Sequence, residues 1–186
     1  MGTPSDFRRS LAERTAAVYA QEPGVVAVLF GGSAALGHAD GFSDLELAVV
    51  WEAQPSDDAR RRLVEAAGGD LVRLYEREPG EPAWADAWQL GRRDGELSTG
   101  VEMDMHHFVR ADVDAIVETV AAGDPELGAQ SFVAALVRGT ALHGAELVAG
   151  WREAATPYPE ALRLAMVRRY GQVEGLWRIE AFAARG

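Results

Sequence analysis

The chain has 186 residues, 48% of them hydrophobic and 25% charged, which is enough apolar material for a compact domain and argues against disorder. Its net charge is −11 and all 18 of its basic residues are arginine; so acidic a surface repels a nucleic-acid backbone, which excludes polymeric DNA or RNA as the expected partner and suits a cationic acceptor, although acidity also serves solubility. The absence of cysteine removes disulfides, thiolate metal sites and cysteine nucleophiles, and no run approaches the ~18 apolar residues of a membrane span, so a cytoplasmic protein with no signal peptide and no membrane contact is expected.

Residues 5–22 have the pattern of a helix, with Ser5 at its N-cap and Phe7, Leu11 and Val18 on one face, stopped by Pro23-Gly24. Residues 25–30 are a short apolar run rich in β-branched residues, hence a buried strand. Gly31-Gly32-Ser33 breaks it, and a connector over 34–41 leads to a second strand over 44–51. There Leu45, Leu47 and Val49 share one face, while Asp44, Glu46 and Ala48 share the other. Pro55 and Ser56 open a helix with Asp57 and Asp58 in its first turn, ended by Gly68-Gly69. Strands are expected at 71–75, 88–90 and 101–108, with a Pro/Gly/Glu-rich loop over 78–82 and a hairpin turn at Arg93-Asp94-Gly95. Val113, Ile116, Val117 and Val120 mark an amphipathic helix over 112–122. From Ser131 onward the pattern is helical, broken at Gly139 and again at Pro157 and Pro159. Leu162, Met166, Tyr170, Val173 and Trp177 then form an apolar stripe that needs a surface to cover it, either its own domain or a second copy. The expected class is α/β or α+β, a small mixed twisted sheet of four or five strands with flanking helices, followed by C-terminal helices.

Two features placed close together carry the chemistry. Gly31-Gly32-Ser33 ends one strand, and ten residues later Asp44-Leu45-Glu46-Leu47 begins the next. Residues i and i+2 of a strand project from one face, so Asp44 and Glu46 converge while Leu45 and Leu47 anchor the strand from behind. Paired carboxylates suit Mg²⁺, which takes one or two of them together with phosphate oxygens and water. Gly31 and Gly32 leave their backbone N–H groups open to a phosphate, and Ser33 adds a hydroxyl. A third acid would complete two metal positions about 3.5–4 Å apart, the arrangement that stabilises both oxygens of an in-line displacement. Glu102 and Asp104 share a strand face and both qualify. Asp104 is preferred because it lies nearer the apolar centre marked by Met103 and Met105, with Glu102 as the substitute. Either feature by itself is more commonly a plain turn or a solvated strand edge.

Gly-Gly-Ser, a spacer and Asp-x-Glu between apolar residues resembles the signature of the nucleotidyltransferase superfamily whose fold is like that of DNA polymerase β. The chain is most similar there to aminoglycoside and lincosamide nucleotidyltransferases. The likeness is best over residues 25–51 and extends in element order to about 108. It implies the nucleotidyltransferase fold, with a catalytic domain over 1–125 and a helical C-terminal segment over 126–186 that is expected to be incomplete. Residues 137–144 and Tyr158-Pro159 resemble the segment that joins the two parts in those relatives. The resemblance further implies two Mg²⁺ ions held by Asp44, Glu46 and Asp104. A nucleoside triphosphate, expected to be ATP, would be bound by Gly31, Gly32, Ser33 and Ser43. A hydroxyl of a small molecule, of the aminoglycoside or lincosamide type, would be the acceptor. Glu46 departs from the aspartate that many relatives have at the second acidic position. The alternatives are an AMP transferase acting on protein, an antitoxin-type relative, an inactive nucleotide-binding module of the same fold, or an interaction domain that recruits a partner, such as a second copy, through its C-terminal stripe.

The remaining polar and aromatic residues are less specific. His106 and His107 follow the acidic strand, with His107 on the opposite face, and are read as strand or supporting positions. His38 is read as an exposed loop residue. Arg92 and Arg93 fit a solvated turn better than a triphosphate clamp. Trp84 and Trp88 are read as core residues before base-stacking ones.

Overall fold

The computed structural model describes residues 2–90, 100–124 and 127–170. Among them, helices cover both faces of a mixed, open sheet. In chain order the elements are α1 (Pro4–Tyr19), β1 (Val25–Phe30), α2 (Gly32–Ala35), β2 (Leu45–Trp51), α3 (Asp57–Ala66), β3 (Gly69–Leu74), β4 (Ala83–Leu90), β5 (Val101–Val109), α4 (Arg110–Ala121), α5 (Leu127–Arg138), β6 (Thr140–His143), α6 (Ala145–Ala155) and α7 (Glu160–Tyr170). The six strands run in the order β3-β4-β5-β2-β1-β6. Only β2 and β5 pair in parallel; the other four neighbours are antiparallel.

Alternation along the central strands divides the interior into two cores. Leu45, Leu47, Val49 and Trp51 of β2, with Met103 and Met105 of β5, face α1 and α3. Val50, Phe108, Ala27 and Leu29 face the other way, where α4, α5, α6 and the start of α7 cover them. The stripe expected on α4 is buried in full: Val113, Ile116, Val117 and Val120. On α7, Leu162 is wholly buried in the second core and Met166 packs against it, so this part of the stripe is covered by its own chain. Val173, Trp177, Arg92, Arg93 and the Arg93-Asp94-Gly95 turn lie outside the described residues. No helix among the described residues is long and apolar enough to cross a membrane.

Several elements differ from the sequence expectation, each for a local reason. The cap of α1 is Thr3, which forms a reciprocal capping box with Asp6, and Ser5 lies inside the helix. There the Ser5 hydroxyl accepts from the N–H of Ala39 at 3.0 Å instead of capping. Phe7, expected on the inner face, is 56% exposed. β4 starts five residues before the expected 88, because the inward position between Trp84 and Trp88 is taken by Asp86, which disguises the alternation. The stretch after Gly139, expected to be helical, contains β6, the sixth strand of a sheet expected to have four or five. Four residues are too few to show a period, and their conformation is set by pairing with β1. Gly144 sits at φ +68°, and a β-carbon there would collide with the carbonyl of Val26, so only glycine lets the chain leave β6 against β1.

The first core contains one polar network. The indole N–H of Trp51 donates to Nδ1 of His107 at 3.0 Å. The proton of the neutral imidazole therefore sits on Nε2, which donates to Asp86 Oδ2 at 2.8 Å. The other Asp86 oxygen pairs with Arg60, whose second Nη reaches Asp57 at 2.7 Å. His107 and Asp86 are fully buried and Arg60 nearly so, and Trp84 stacks on the imidazole at 5.5 Å. Trp84 and Trp88 are both core residues.

Burial pushes the pKa of His107 below its ordinary value despite the hydrogen bond to Asp86, and protonation would also displace the Trp51 bond. The unfolded chain protonates this group near pH 6.5, whereas the fold resists protonation. Stability should be full above about pH 6.5 and should fall as pH drops below it, with a slope of at most about 1.4 kcal/mol per pH unit from this residue. Urea unfolding of wild type and His107→Gln between pH 7.5 and 5 tests this: the variant, though weaker overall, is expected to have the shallower dependence. Equal slopes would show that His107 is not the group responsible.

Candidate functional site

The site forms where β1 ends beside β2. The N–H of Gly31 donates to the carbonyl of Glu46 at 3.0 Å, which brings the glycine turn against the carboxylate strand and, contrary to the expectation, leaves that N–H closed to a phosphate. Gly31 caps α2 without a side chain, so no side-chain bond occupies the first-turn N–H groups contributed by Gly32 and Ser33. Gly32 has φ +67°, and a β-carbon on it would lie 2.8 Å from the Glu46 carboxyl group. The carboxylate of Glu46 therefore rests against a bare α-carbon. Any side chain at position 32 meets both backbone strain and that carboxylate, so a variant there alters folding as well as ligand binding.

Strand pairing brings the next acid in. In the parallel ladder Glu46 is the register partner of Asp104, and Ala48 that of His106. Paired residues on adjacent strands present their side chains to the same face about 5 Å apart. Asp44, just before β2, Glu46 and Asp104 are all half-buried. Burial raises the pKa of Glu46; the charge of Asp44 raises it further, His106 pulls it partly back, and Asp104 adds to the rise. Three carboxylates and one imidazole thus share one electrostatic neighbourhood. Glu102 does not belong to it: it is exposed and lines a separate hollow with Thr3, Arg8, Phe42 and Ser43.

A cleft of about 850 Å³ opens in front of the site. Gly31, Gly32, Glu46 and His106 line it, and Phe108 and Phe132, with ring centroids 4.5 Å apart, are among its apolar walls. No arginine is among its lining residues as described. Arg77 braces one rim, with its guanidinium on Asp112 at 2.8 Å and on the Glu81 carbonyl at 2.9 Å.

Ser33, His38 and Ser43 make bonds within the connector between the glycine turn and β2. The Ser43 hydroxyl donates to Asp40 at 2.9 Å and accepts from the N–H of Asp40 at 3.0 Å, so it is committed to its own turn. Ser33 accepts at its carbonyl from the N–H of His38, and His38 is exposed. The sequence reading missed Arg8 and Asp40, which hold the 40–43 turn. Asp40-Gly-Phe-Ser43 was a readable sign of a side-chain-capped turn. Nothing local marks Arg8, because its partners in the turn lie 33 and 35 residues away.

The donor set suits a hard divalent cation. It consists of carboxylate oxygens, and no arginine pairs with Asp44, Glu46 or Asp104 among the described residues. Among the described residues no three His, Asp or Glu side chains stand as a ready metal cage. No protein-family model matches the chain, and no curated protein matches it significantly.

The raised pKa of Glu46 has a consequence for stability. Its charged form is disfavoured in the fold, so the penalty is present above the folded pKa and disappears as pH falls toward the unfolded value near 4.3. Glu46→Gln should melt at the same or a higher temperature than wild type at pH 8 without metal, and this gain should vanish at about pH 4. Added MgCl₂ should raise the wild-type melting temperature and leave that of the variant unchanged. A variant distinctly less stable than wild type at pH 8 would contradict this account of Glu46.

Proposed function

We propose that the chain is a metal-dependent nucleotidyltransferase that moves a nucleoside monophosphate from a nucleoside triphosphate to a hydroxyl of a small acceptor. The observation that carries this reading is the apposition of Gly31 and Gly32 with Glu46, next to Asp104 in the parallel ladder. Bare glycine backbone beside clustered, unpaired carboxylates suits a phosphate chain that arrives with its own cations. A cleft of about 850 Å³ lies within the ~300–1,000 Å³ typical of small-molecule sites, which favours a small acceptor over a polymer or a folded protein.

In this reading Asp44, Glu46 and Asp104 hold two Mg²⁺ ions, which when bound neutralise charge on the phosphate oxygens. The first-turn N–H groups of α2 and the Ser33 hydroxyl bind the triphosphate tail and orient it. The acceptor oxygen bonds to the α-phosphorus, the bond from that phosphorus to the bridging oxygen breaks, and pyrophosphate leaves. Asp104, beside Glu46 on the neighbouring strand, takes the proton from the acceptor hydroxyl. Rate comes from alignment and from fixed charge, without a covalent intermediate on the protein. Phe108 and Phe132 give the cleft an apolar wall for the body of a substrate.

Asp104 and Glu102 separate this mechanism from a generic acidic strand. Asp104→Asn should lower Mg²⁺-dependent pyrophosphate release from ATP over a panel of hydroxyl acceptors by about 10²–10⁴-fold, the usual worth of a positioned proton acceptor. Glu102→Gln, in its separate hollow, should stay close to wild type. The opposite pattern would transfer the third-acid role to Glu102. The absence of any divalent-dependent nucleotide binding by wild type would defeat the reading altogether.

A further inference from the structure

Arg8 lies in the second turn of α1, is 4% exposed, and makes no ion pair among the described residues. Every hydrogen bond of its guanidinium goes to a backbone carbonyl. Nε donates to Ser43 O at 2.7 Å, Nη2 donates to the same oxygen and to Gly41 O at 3.4 Å, and Nη1 donates to Pro4 O at 3.3 Å. Burying a guanidinium without a carboxylate is expensive, and both prongs of its fork close on one peptide oxygen. That peptide is the one that leads from Ser43 into Asp44.

Ser43 itself, just before that peptide, is also held from the solvent side. Asp40 Oδ1 accepts from the N–H groups of Phe42 and Ser43 and from the Ser43 hydroxyl, each at 2.9 Å. Two further bonds tie the preceding connector to α1: Ala39 N–H to Ser5 Oγ at 3.0 Å, and Arg9 Nη2 to Ala35 O at 3.3 Å. The first turns of α1 therefore grip the whole link between the glycine turn and the carboxylate strand. β2 begins at Leu45, so Asp44 lies outside its ladder, and its direction depends on the peptide before it.

We propose that Arg8 is the positioning residue for Asp44: by fixing the Ser43 carbonyl from inside the protein, it aims that carboxylate at the point shared with Glu46. The proposal rests on the reading of Asp44 and Glu46 as metal ligands. Arg8 touches neither metal nor substrate; its effect passes through one peptide group. A lysine would keep the charge but lose the fork, so Arg8→Lys should recover little of what Arg8→Met loses.

The test is Mn²⁺ binding, followed by electron paramagnetic resonance in the presence of a non-hydrolysable ATP analogue, well below the melting temperature of each variant. Asp44→Asn and Glu46→Gln serve as references. Arg8→Met is expected to weaken Mn²⁺ binding by about 10–100-fold, the usual cost of losing a group that orients a ligand. Where Arg8→Met fails to fold, Asp40→Ala releases the N–H and hydroxyl of Ser43, the residue whose carbonyl Arg8 holds, and should weaken binding in the same direction. Wild-type affinity in folded Arg8→Met or in Asp40→Ala, with Asp44→Asn impaired, overturns the assignment alone. A wild-type protein that holds no Mn²⁺, or an Asp44→Asn variant that holds it unchanged, overturns the metal reading and this assignment together.

Discussion

The parallel pairing of β2 with β5 is the constraint on which the rest of the molecule depends. Its register sets Glu46 beside Asp104 on one face and, through the same ladder, Leu47 beside Met105 and Val49 beside His107 on the other. Slipping β5 by one residue against β2 would turn Asp104 into the first core and carry Met103 and Met105 to the cleft. A slip of two would keep the apolar alternation but separate the acids. Alternation alone cannot forbid that second error, whereas the buried network can. Trp51 bonds His107 across the pair, His107 bonds Asp86 on β4, and Asp86 pairs with Arg60 on α3. These polar groups are satisfied together at one register, and removing a single partner from such a buried pair costs about 3–5 kcal/mol. The network behind the sheet thus fixes the positions of the acids in front of it.

The parts legible in the sequence were those governed by short-range alternation. The bounds of β1, the two faces of β2 and the buried stripe of α4 follow from residue spacing because each strand or helix has one apolar side to cover. What escaped was set by distant partners. β6 is a strand because β1 offers it hydrogen bonds, and the inward carboxylate of Asp86 made β4 look shorter than it is. The start of α1 moved to Thr3 because the capping box there competes with Ser5, whose hydroxyl is used elsewhere. Within the candidate site, the common face of Asp44 and Glu46 was readable, since it depends only on i and i+2. The choice between Asp104 and Glu102 was not, since both occupy one face of one strand. Only the ladder distinguishes them, by pairing Asp104 with Glu46 while Glu102 lines another hollow.

The chain has ample arginine with which to neutralise its acids, and the structure does so away from the site. Arg60 serves Asp86 and Asp57, Arg77 serves Asp112, and Arg110 reaches Glu52. Arg8, the arginine that holds the turn leading into Asp44, faces carbonyls instead of the carboxylate. The acids at Asp44, Glu46 and Asp104 keep their mutual repulsion, which adds to burial in raising the pKa of Glu46. A folded protein retains such repulsion only where surrounding contacts hold the groups in place, and here they do: a parallel ladder on one side, a glycine turn on the other and a clamped loop behind.

The two faces of the sheet therefore do opposite things with polar groups. On the α1 and α3 side, the Trp51–His107–Asp86–Arg60 chain of bonds is buried, and its geometry specifies strand order and register. On the α4 and α5 side, acids remain half-exposed and unpaired beside an open cleft. The second arrangement depends on the first, because half-exposed like charges cannot hold themselves together. It also depends on glycine at position 32: the turn needs φ +67°, and the Glu46 carboxylate occupies the space a side chain would fill. In the function proposed above, a pocket with Glu46 and bare backbone at one end and apolar walls at the other would take an anion together with its cations, a metal-bound phosphate ester ahead of a free one.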